Sequence, residues 1–474
     1  MSTTLPGPRG PPLLGQAFNL DTSHMHLQFL DWQKRYGDIF MFKVLGKHYM
    51  VVSHPDIIKD MFITCPHANK LNDRAVSFMG SHVIRDTKDI VFRNCDAQQR
   101  CLKEATMKYI ENTLMSEAWF YDDIKDEVIG IQEDIRSAID KPFDILEAMD
   151  RASIRIIGYL ISGSAVKDSD EQFQSLTDFM LKGRLTNWTR QEPDDSNRVP
   201  ICPEIPWSPG TSYDGVVEKR AKLKQFFIKE NKSGRGLVNM LQKLGKTLSE
   251  EKGEDWLDED FVMGVIMDLT AAAVVPLQNT LSVLFLILLH YPEVQAKIRA
   301  EVTQVSPNAA PSIGDIANMP YTHACMLELK RFHTPLPISA RHCPRSGNVK
   351  FGKYVIPKNT EIFSNLFGLN HDERFWEQPW EFMPERFLTD DGKLISDDHD
   401  NMKNLIATGV GPRACVGAKF SENVMLLLTA DLLRTVELSP AADHPLPERD
   451  PRTFLPGVVT RSPAFVCSCR LVET

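Results

Sequence analysis

The chain has 474 residues, of which 42% are hydrophobic and 25% are charged, and its formal net charge is −9 at pH 7. These proportions are ordinary for a soluble globular protein whose core is large enough to enclose a cofactor. An acidic chain without a basic stripe and interleaved aromatic residues is not expected to bind nucleic acid. No stretch has the composition of a linker, so we predict a single domain over residues 1–474.

The N-terminal segment 1–20 is rich in proline and glycine, which predicts a stiff, extended hinge. It contains no apolar run long enough for a transmembrane helix, and the sequence leaves open whether an anchor precedes it. The elements predicted next are a helix over 24–37, strands over 38–45 and 48–53, and a short helix that begins at Pro55.

The middle of the chain, over 97–235, is predicted to be mainly helical. Its interruption at 186–214 holds several prolines and two tryptophans. The interruption is too long for an ordinary connection, so we predict a loop that controls substrate access.

A long apolar run follows at 258–290 and predicts a buried core helix. It is not interpreted as a membrane span, because Asp268, Gln278 and Asn279 lie inside it. Later elements are predicted helices over 292–302, 321–334 and 418–436, with short strands within 338–364. The predicted fold class is mainly α with small β-sheets, of the α+β kind.

The cysteine pattern predicts free thiols in a reducing compartment. The nine cysteines are odd in number and irregularly spaced, and no zinc-type Cys-x-x-Cys pair occurs. Cys467 and Cys469 are two residues apart, so their side chains would share one face of a strand. We interpret this pair as buried structural thiols.

The most informative segment is a glycine-rich loop directly before an apolar helix, Thr408-Gly-Val-Gly-Pro-Arg-Ala-Cys-Val-Gly417. Its glycines permit tight turns and close approach to a flat ligand. Cys415 has helix N–H groups and the positive end of the helix dipole nearby, which favour a thiolate. Arg413 supplies a fixed cation for an anionic group. Taken alone, the loop leaves open an inert thiol, a metal ligand or a nucleophile.

This loop resembles the haem-binding segment of the cytochrome P-450 superfamily. The family pattern Phe-x-x-Gly-x-Arg-x-Cys-x-Gly is matched at Gly411, Arg413, Cys415 and Gly417. The resemblance implies that haem b lies between the long helix and the loop, with Cys415 as the axial ligand of its iron. A thiolate ligand pushes electron density onto iron and favours O–O cleavage.

Other motifs match the same family in order and spacing, over nearly the whole chain. Glu328 and Arg331 resemble its Glu-x-x-Arg pair, for which the resemblance implies a structural role. Further matches are Pro384-Glu-Arg-Phe387, Tyr354–Thr360, Asn365 and His371, and Leu5–Gly15 resembles the proline-rich hinge of membrane-anchored members.

The resemblance also implies contacts to the haem carboxylates. Arg413 matches directly, and either Arg341 or His342 lies where the family places a propionate-binding residue. On the first long helix of the middle region, Gln99 and Lys103 stand at two anchoring positions, with Arg100 beside them. Exposed helix charges are the alternative interpretation of that helix.

The sequence departs from the family at three places, one of which is Gln99 and Lys103 in place of the usual Trp or His and the usual Arg. Thr408 replaces the aromatic residue of the loop, where a hydroxyl can change hydrogen bonding to sulfur. In the long helix, Val275 and Pro276 replace the acid and the alcohol that help to deliver protons, while Thr280 lies one turn beyond. Pro276 also frees the carbonyl of Ala272, where a water can bind. The alternative for Pro276 is simply a kinked core helix.

The resemblance implies a monooxygenase that acts on a hydrophobic small molecule, such as a specialised metabolite, or that closes a ring or desaturates its substrate. The missing acid–alcohol pair keeps a peroxide-driven oxygenase, an isomerase or a dehydratase as the alternative. A third hypothesis is a non-enzymatic haem carrier or gas sensor.

Expected partners follow from the same resemblance. We expect an NADPH-dependent reductase that docks near Lys403, Arg413 and Lys419, peripheral membrane contact, and a monomer. The expected location is the cytoplasmic side of the endoplasmic reticulum if an anchor precedes the chain, and the soluble cytoplasm otherwise.

Overall fold

The structure is a computed structural model that describes residues 5–77, 79–116, 118–138, 141–164, 213–230, 233–252 and 256–472. The predicted access loop over 186–214 lies outside the described residues, except for its last two positions, which begin a helix.

The described α-helices are, in chain order, α1 (Met25–Tyr36), α2 (Pro55–Lys59), α3 (Ala68–Leu71), α4 (Ala97–Ser116), α5 (Ala118–Ser137), α6 (Ile145–Ser162), α7 (Tyr213–Lys224), α8 (Gly236–Lys252), α9 (Glu259–His290), α10 (Pro292–Val305), α11 (Pro320–His333), α12 (Leu366–Asn370), α13 (Asp400–Asn404) and α14 (Ala418–Thr435). The described strands are β1 (Ile39–Val44), β2 (Lys47–Val52), β3 (Val349–Phe351), β4 (Tyr354–Ile356), β5 (Glu361–Ser364), β6 (Val436–Pro440) and β7 (Cys467–Leu471). The mainly α prediction is therefore confirmed.

The long helix α9 is the centre of the core. Asp258 caps its N-terminus by accepting hydrogen bonds from the N–H groups of Asp260 and Phe261. Its side chains are buried nearly all round, and it packs against α6, α8, α11 and α14. This one described helix is long and apolar enough to cross a membrane, but it lies inside the protein, as predicted.

Three small sheets lie at the periphery. Strands β1 and β2 form an antiparallel hairpin, and β5 pairs with β2 in parallel. The turn residues Leu45 and Gly46 have φ values of 48° and 80°, which suits a tight two-residue hairpin. Helix α1 covers this sheet with Phe29 and Trp32. The predicted helix and both strands are confirmed to within two residues at each end.

The N-terminal hinge differs from its prediction. Residues 11–19 fold into successive turns instead of an extended rod. Gly15 donates to the carbonyl of Pro11 at 2.9 Å, and Gln16 donates to that of Lys43 at 2.7 Å. The segment therefore turns back against β1, because backbone hydrogen bonds to that strand outweigh the stiffness of the prolines.

The two C-terminal cysteines share one face of β7, as predicted. Their sulfur atoms are 3.6 Å apart, and Cys467 is fully buried. Every cysteine in the described part of the chain is a free thiol.

A buried ion cluster joins α11 to the segment 370–386. Arg331 donates twice to the carboxylate of Glu328, at 2.7 Å each, and both side chains are completely buried. Arg386 reaches the same carboxylate at 3.4 Å. Arg331 also donates to three backbone carbonyls of the following loop, those of Asn370, Pro379 and Glu381. The cluster therefore joins helix and loop, which is the structural role implied by the resemblance.

Candidate functional site

The loop before α14 is a tight, hydrogen-bonded turn. Ala414 donates to the carbonyl of Gly411 at 3.0 Å, and Cys415 donates to that of Thr408 at 2.9 Å. Gly411 has φ 62°, and a Cβ there would lie 3.0 Å from Ile63 and 3.2 Å from the carbonyl of Phe62. Both the conformation and the close neighbours therefore require glycine at position 411.

Cys415 borders open space although protein surrounds it. Cys415 is accessible from one side, but the protein atoms packed around it disfavour the charged thiolate and so raise the pKa of its thiol. The backbone N–H of Gly417 and the charges of Lys330 and Lys103 lower the pKa, but by less than burial raises it. The expected stabilisation of a thiolate by the N–H groups at the start of the helix is present, but burial outweighs it. A metal ion bonded to sulfur would supply the missing stabilisation of the thiolate.

Other loop residues also border open space. Thr408 is exposed, and a Cβ added at Gly417 would find no atom within 4 Å. Gly417 caps the N-terminus of α14, and a flat group has room to approach its backbone.

The middle of α9 has a second opening. Ala272 is exposed, although the turns before and after it are buried. Val275 is buried, and Pro276 is half-buried within a helix that continues through it. The hydroxyl of Thr280 donates to the carbonyl of Pro276 at 2.6 Å, so this hydroxyl is already committed inside the helix. The side chains of Val275, Pro276 and Thr280 therefore offer no free group that can carry a proton.

Arg413 points into the protein and holds three backbone segments. Its guanidinium donates to the carbonyls of Asn72 at 2.9 Å and Ile90 at 3.0 Å, and also to that of Arg93. Burial lowers the pKa of Arg413. Nearby acidic groups raise this pKa, although none of the described carboxylates forms an ion pair with Arg413.

Two more cations lie close to Arg413, the buried Arg74 and the half-buried Lys103. Lys103 on α4 donates to the carbonyl of Pro412 at 2.6 Å, which places it against the cysteine loop. Arg74 donates to the carbonyls of Val91, Ala340 and Arg341 at 3.0–3.2 Å. Burial lowers the pKa of each of these two groups, and the charge of Arg413 lowers both further.

Sequence reasoning missed Arg74. No local motif marks it, because its neighbours come from distant segments of the chain. A solitary arginine in a stretch without other signals gives no indication that it will be buried beside two other cations. Only the packing of the segment around 90 onto that around 340 creates this cluster.

The remaining predicted anchors have other partners in this structure. Arg341 pairs with Glu361 at 3.1 Å. His342 is buried, and its Nδ1 lies 3.2 Å from the carbonyl of Leu71. Burial lowers the pKa of His342 well below its ordinary value, so the ring is neutral.

On α4, the two residues near Lys103 differ in orientation. Gln99 is fully buried and donates to the carbonyl of Ile90 at 3.2 Å. Arg100 is exposed and reaches only the carbonyl of Cys95. Of the cations on this helix segment, Lys103 is therefore the one directed at the loop.

These residues fit a haem. A thiol on a tight loop borders open space, and the buried Arg74 and the half-buried Lys103 and Arg413 donate only to carbonyls within the described chain. Buried charges are normally paired with opposite charge, so this cluster suits the carboxylates of a cofactor.

Comparison with known proteins agrees with this arrangement. The family model described as Cytochrome P450 matches residues 5–467. Cytochrome P450 2D27 of Mesocricetus auratus is 25% identical over 98% of this chain and 92% of its own length. The steroid 17-alpha-hydroxylase/17,20 lyase of Rana dybowskii is 25% identical over 98% of this chain and 89% of its own length.

The fold is also that of solved relatives. A zebra fish cytochrome P450 with progesterone superimposes with a TM-score of 0.78 at 20% identity, over 94% of this chain and 99% of that one. Because the family model spans nearly the whole chain and the fold agrees, this protein belongs to the cytochrome P450 family and is a haem-thiolate oxidoreductase.

Proposed function

We propose that the sulfur of Cys415 would ligate the haem iron and that Arg413, Arg74 and Lys103 would hold the haem carboxylates. The observation that supports this assignment is a thiol facing open space, close to three buried or half-buried cations with which no described carboxylate forms an ion pair. Arg341 and His342 stay as candidates for additional carboxylate contacts. For Arg341 this contact would compete with its ion pair to Glu361.

We further propose that the protein inserts oxygen into a hydrophobic small molecule, such as a specialised metabolite, or desaturates or cyclises it. When bound, haem supplies the activation of oxygen. The chain supplies apolar walls, because the α9 face around Ala272 carries alanine and valine. A solved relative with progesterone shares this fold, which supports an apolar substrate.

The proton supply is the unusual part of this proposal. The buried Val275 and the half-buried Pro276 carry no proton-transferring group, and the hydroxyl of Thr280 is committed to the carbonyl of Pro276. Protons must then travel through bound water or through the substrate itself.

The lack of a proton-transferring group favours a second candidate function, in which peroxide replaces dioxygen or the enzyme rearranges a peroxide or an epoxide. Because the family is one of oxidoreductases, a non-enzymatic haem protein is no longer proposed.

A two-arm incubation separates these functions. The haem-loaded protein is incubated with a pool of apolar metabolites, either with NADPH, a reductase and isotopically heavy dioxygen, or with hydrogen peroxide alone. Heavy label in a product of the first arm only supports the monooxygenase. Turnover with peroxide only, or a rearranged product in the absence of both oxidants, supports the second candidate and contradicts the first.

We propose that a reductase docks on the Cys415 side of the protein. Lys403 and Lys419 are exposed there, and Lys59 donates to the carbonyl of Lys403 at 2.7 Å. Arg413 was expected to add positive charge to this surface. It does not, because its guanidinium is bonded to carbonyls inside the protein. The docking surface thus rests on the lysines.

We also propose peripheral contact with the endoplasmic reticulum membrane. The turns of the N-terminal segment expose Leu13 and Phe18, which are 85% and 84% accessible, and Leu45 of the adjacent hairpin is exposed too. Leu45 donates to the carbonyl of Leu14, so these apolar side chains belong to one region of the surface.

A monomeric, single-domain enzyme with an access loop over 186–214 stays part of the proposal.

A further inference from the structure

The segment 90–93 has neither helical nor strand structure, and side chains from elsewhere bind its backbone groups. The N–H groups of Ile90 and Val91 donate to one carboxyl oxygen of Asp268 on α9, at 2.9 and 3.2 Å. The next two N–H groups of the segment donate to the carboxyl group of Asp89 at 2.9–3.1 Å. Two buried aspartates therefore accept hydrogen bonds from every N–H of this segment.

The carbonyl groups of the same segment accept from two arginines of the proposed haem site. Arg413 donates to the carbonyl of Ile90 at 3.0 Å, and Arg74 donates to that of Val91 at 3.0 Å. The peptide unit between residues 90 and 91 thus stands between Arg413 and Asp268. The unit between residues 91 and 92 likewise stands between Arg74 and Asp89. Hydrogen bonds arranged in such a chain polarise and strengthen one another.

Helix α9 is shaped to receive the backbone that leads into this segment. A Cβ added at Gly264 would lie 1.9 Å from the carbonyl oxygen of Lys88 and 3.3 Å from the Cβ of Asp89. Gly264 is four residues before Asp268, so the two positions are neighbours on one face of the helix. This face combines a residue without a side chain, where the backbone crosses, with an acceptor for the N–H groups that follow.

The protonation of the two aspartates suits this arrangement. Burial raises the pKa of Asp268 well above its ordinary value, and the charge of Asp89 raises it further. Burial also raises the pKa of Asp89, to about 6. Two neighbouring buried carboxyl groups resist a double negative charge, so Asp268 keeps its proton at neutral pH. A protonated carboxyl group has one oxygen that accepts and one group that donates, as an asparagine side chain does.

We propose that Asp268 and Asp89 are positioning residues of the haem site, which orient Arg413 and Arg74 through the backbone of residues 90–93. Among the described residues, both carboxyl groups bond to backbone N–H groups and form no ion pair with these arginines. The positive charges are thereby held in place without being neutralised by direct contact, which leaves them available to the haem carboxylates. This inference rests on the proposed haem site and deepens it, because it names what orients two of its cations.

The test measures the rate of haem transfer from the full-length, haem-loaded protein to apomyoglobin. We expect Asp268→Leu to raise this rate about tenfold, because two backbone N–H groups lose their acceptor and the carbonyl that orients Arg413 is no longer fixed. Asp268→Asn should stay within about twofold of the wild type, because its amide oxygen still accepts from both N–H groups. Asp89→Ala should raise the rate as Asp268→Leu does, and it keeps the test decisive if Asp268→Leu fails to fold.

Asp431→Leu is the matched control. It removes another buried aspartate from a core helix, α14, where the carboxylate pairs with Arg434 at 3.0 Å. We expect this variant to keep the wild-type transfer rate. An increase equal to that of Asp268→Leu would overturn the inference, because haem loss would then follow a general loss of stability. An equal increase in Asp268→Asn would overturn it too, since the backbone acceptor is retained there.

Arg74→Gln separates the inference from the haem site on which it rests. If Arg74→Gln raises the transfer rate while Asp268→Leu and Asp89→Ala leave it unchanged, the aspartates are not positioning residues and the haem site stands. If all three variants transfer haem at the wild-type rate, the assignment of Arg74 to a haem carboxylate is contradicted as well.

Discussion

Lys103 donates a 2.6 Å hydrogen bond to the carbonyl of Pro412, and this contact joins α4 to the loop that carries Cys415. The two residues are 309 positions apart in the chain. Lys103 is half-buried and donates to one carbonyl, so its ammonium group has further N–H groups that can bind an anion. The contact therefore places a positive charge beside the proposed haem ligand.

Replacing this charge should loosen the cofactor. We expect Lys103→Gln to raise the rate of haem transfer to apomyoglobin about tenfold, because a charge-assisted hydrogen bond to a haem carboxylate is lost. Arg100→Gln is the control on the same helix, since Arg100 is exposed and bonded only to the carbonyl of Cys95. Equal transfer rates for both variants would contradict the anchoring role of Lys103.

Removing the thiol should abolish the thiolate signature. We expect Cys415→Ala to lose the long-wavelength absorption band of the reduced carbon monoxide complex, because no sulfur would remain to bind iron. Cys101→Ala changes a half-buried thiol on α4 and should retain the band. A band that survives Cys415→Ala would show that another residue is the ligand.

The buried ion cluster should dominate local stability. Glu328→Gln leaves the guanidinium of Arg331 without a counter-charge at a site with no solvent access. We expect a loss of about 3–5 kcal/mol in the free energy of unfolding, measured by denaturant titration.

The control for this change is Glu218→Gln, which breaks an exposed pair with Lys222. We expect it to change the free energy of unfolding by less than about 0.5 kcal/mol. Similar losses in the two variants would contradict a special role for the buried cluster.

Buried histidines should make the protein less stable in acid. Burial lowers the pKa of His333 to about 4, below the ordinary value of 6.5. Between these values the unfolded chain binds a proton that the folded chain does not, so stability falls as the pH falls through this window. Over the whole window this amounts to about 3 kcal/mol.

The measurement is the dependence of unfolding free energy on pH between 6.5 and 4.5. We expect His333→Gln to have a shallower slope than the wild type, whatever its absolute stability. His444→Gln changes an exposed ring and should keep the wild-type slope. A wild-type slope in His333→Gln would argue that other groups set the acid limit.

The exposed N-terminal residues should govern membrane contact. We expect Leu13→Ser and Phe18→Ser each to reduce co-sedimentation with vesicles of phosphatidylcholine and phosphatidylserine about tenfold, because each removes an apolar side chain from the lipid boundary. Ile129→Ser alters an equally apolar, 49% exposed side chain on α5 and should have no effect. A uniform response of the three variants would contradict a localised membrane surface.

The sequence determined the features that depend on local order. The glycine-rich loop, the proline in the long apolar helix and the spacing of Glu328 and Arg331 follow from neighbouring residues, whose geometry the backbone fixes within a few turns. The helix 24–37 and the hairpin after it could be predicted for the same reason. The turns of residues 11–19 were not, because they depend on hydrogen bonds to β1.

Only the tertiary structure decided which side chains meet. Arg74 carries no local signal, yet it is buried beside Arg413 because segments about 17 and 266 residues away supply its carbonyl partners. Arg341 bore a motif position, but it pairs with Glu361. Asn279 looked like any polar residue of the helix until packing gave its neighbours partners and left its amide with none. Long-range burial determines the partner of each charged or polar group, and spacing along the chain does not contain that information.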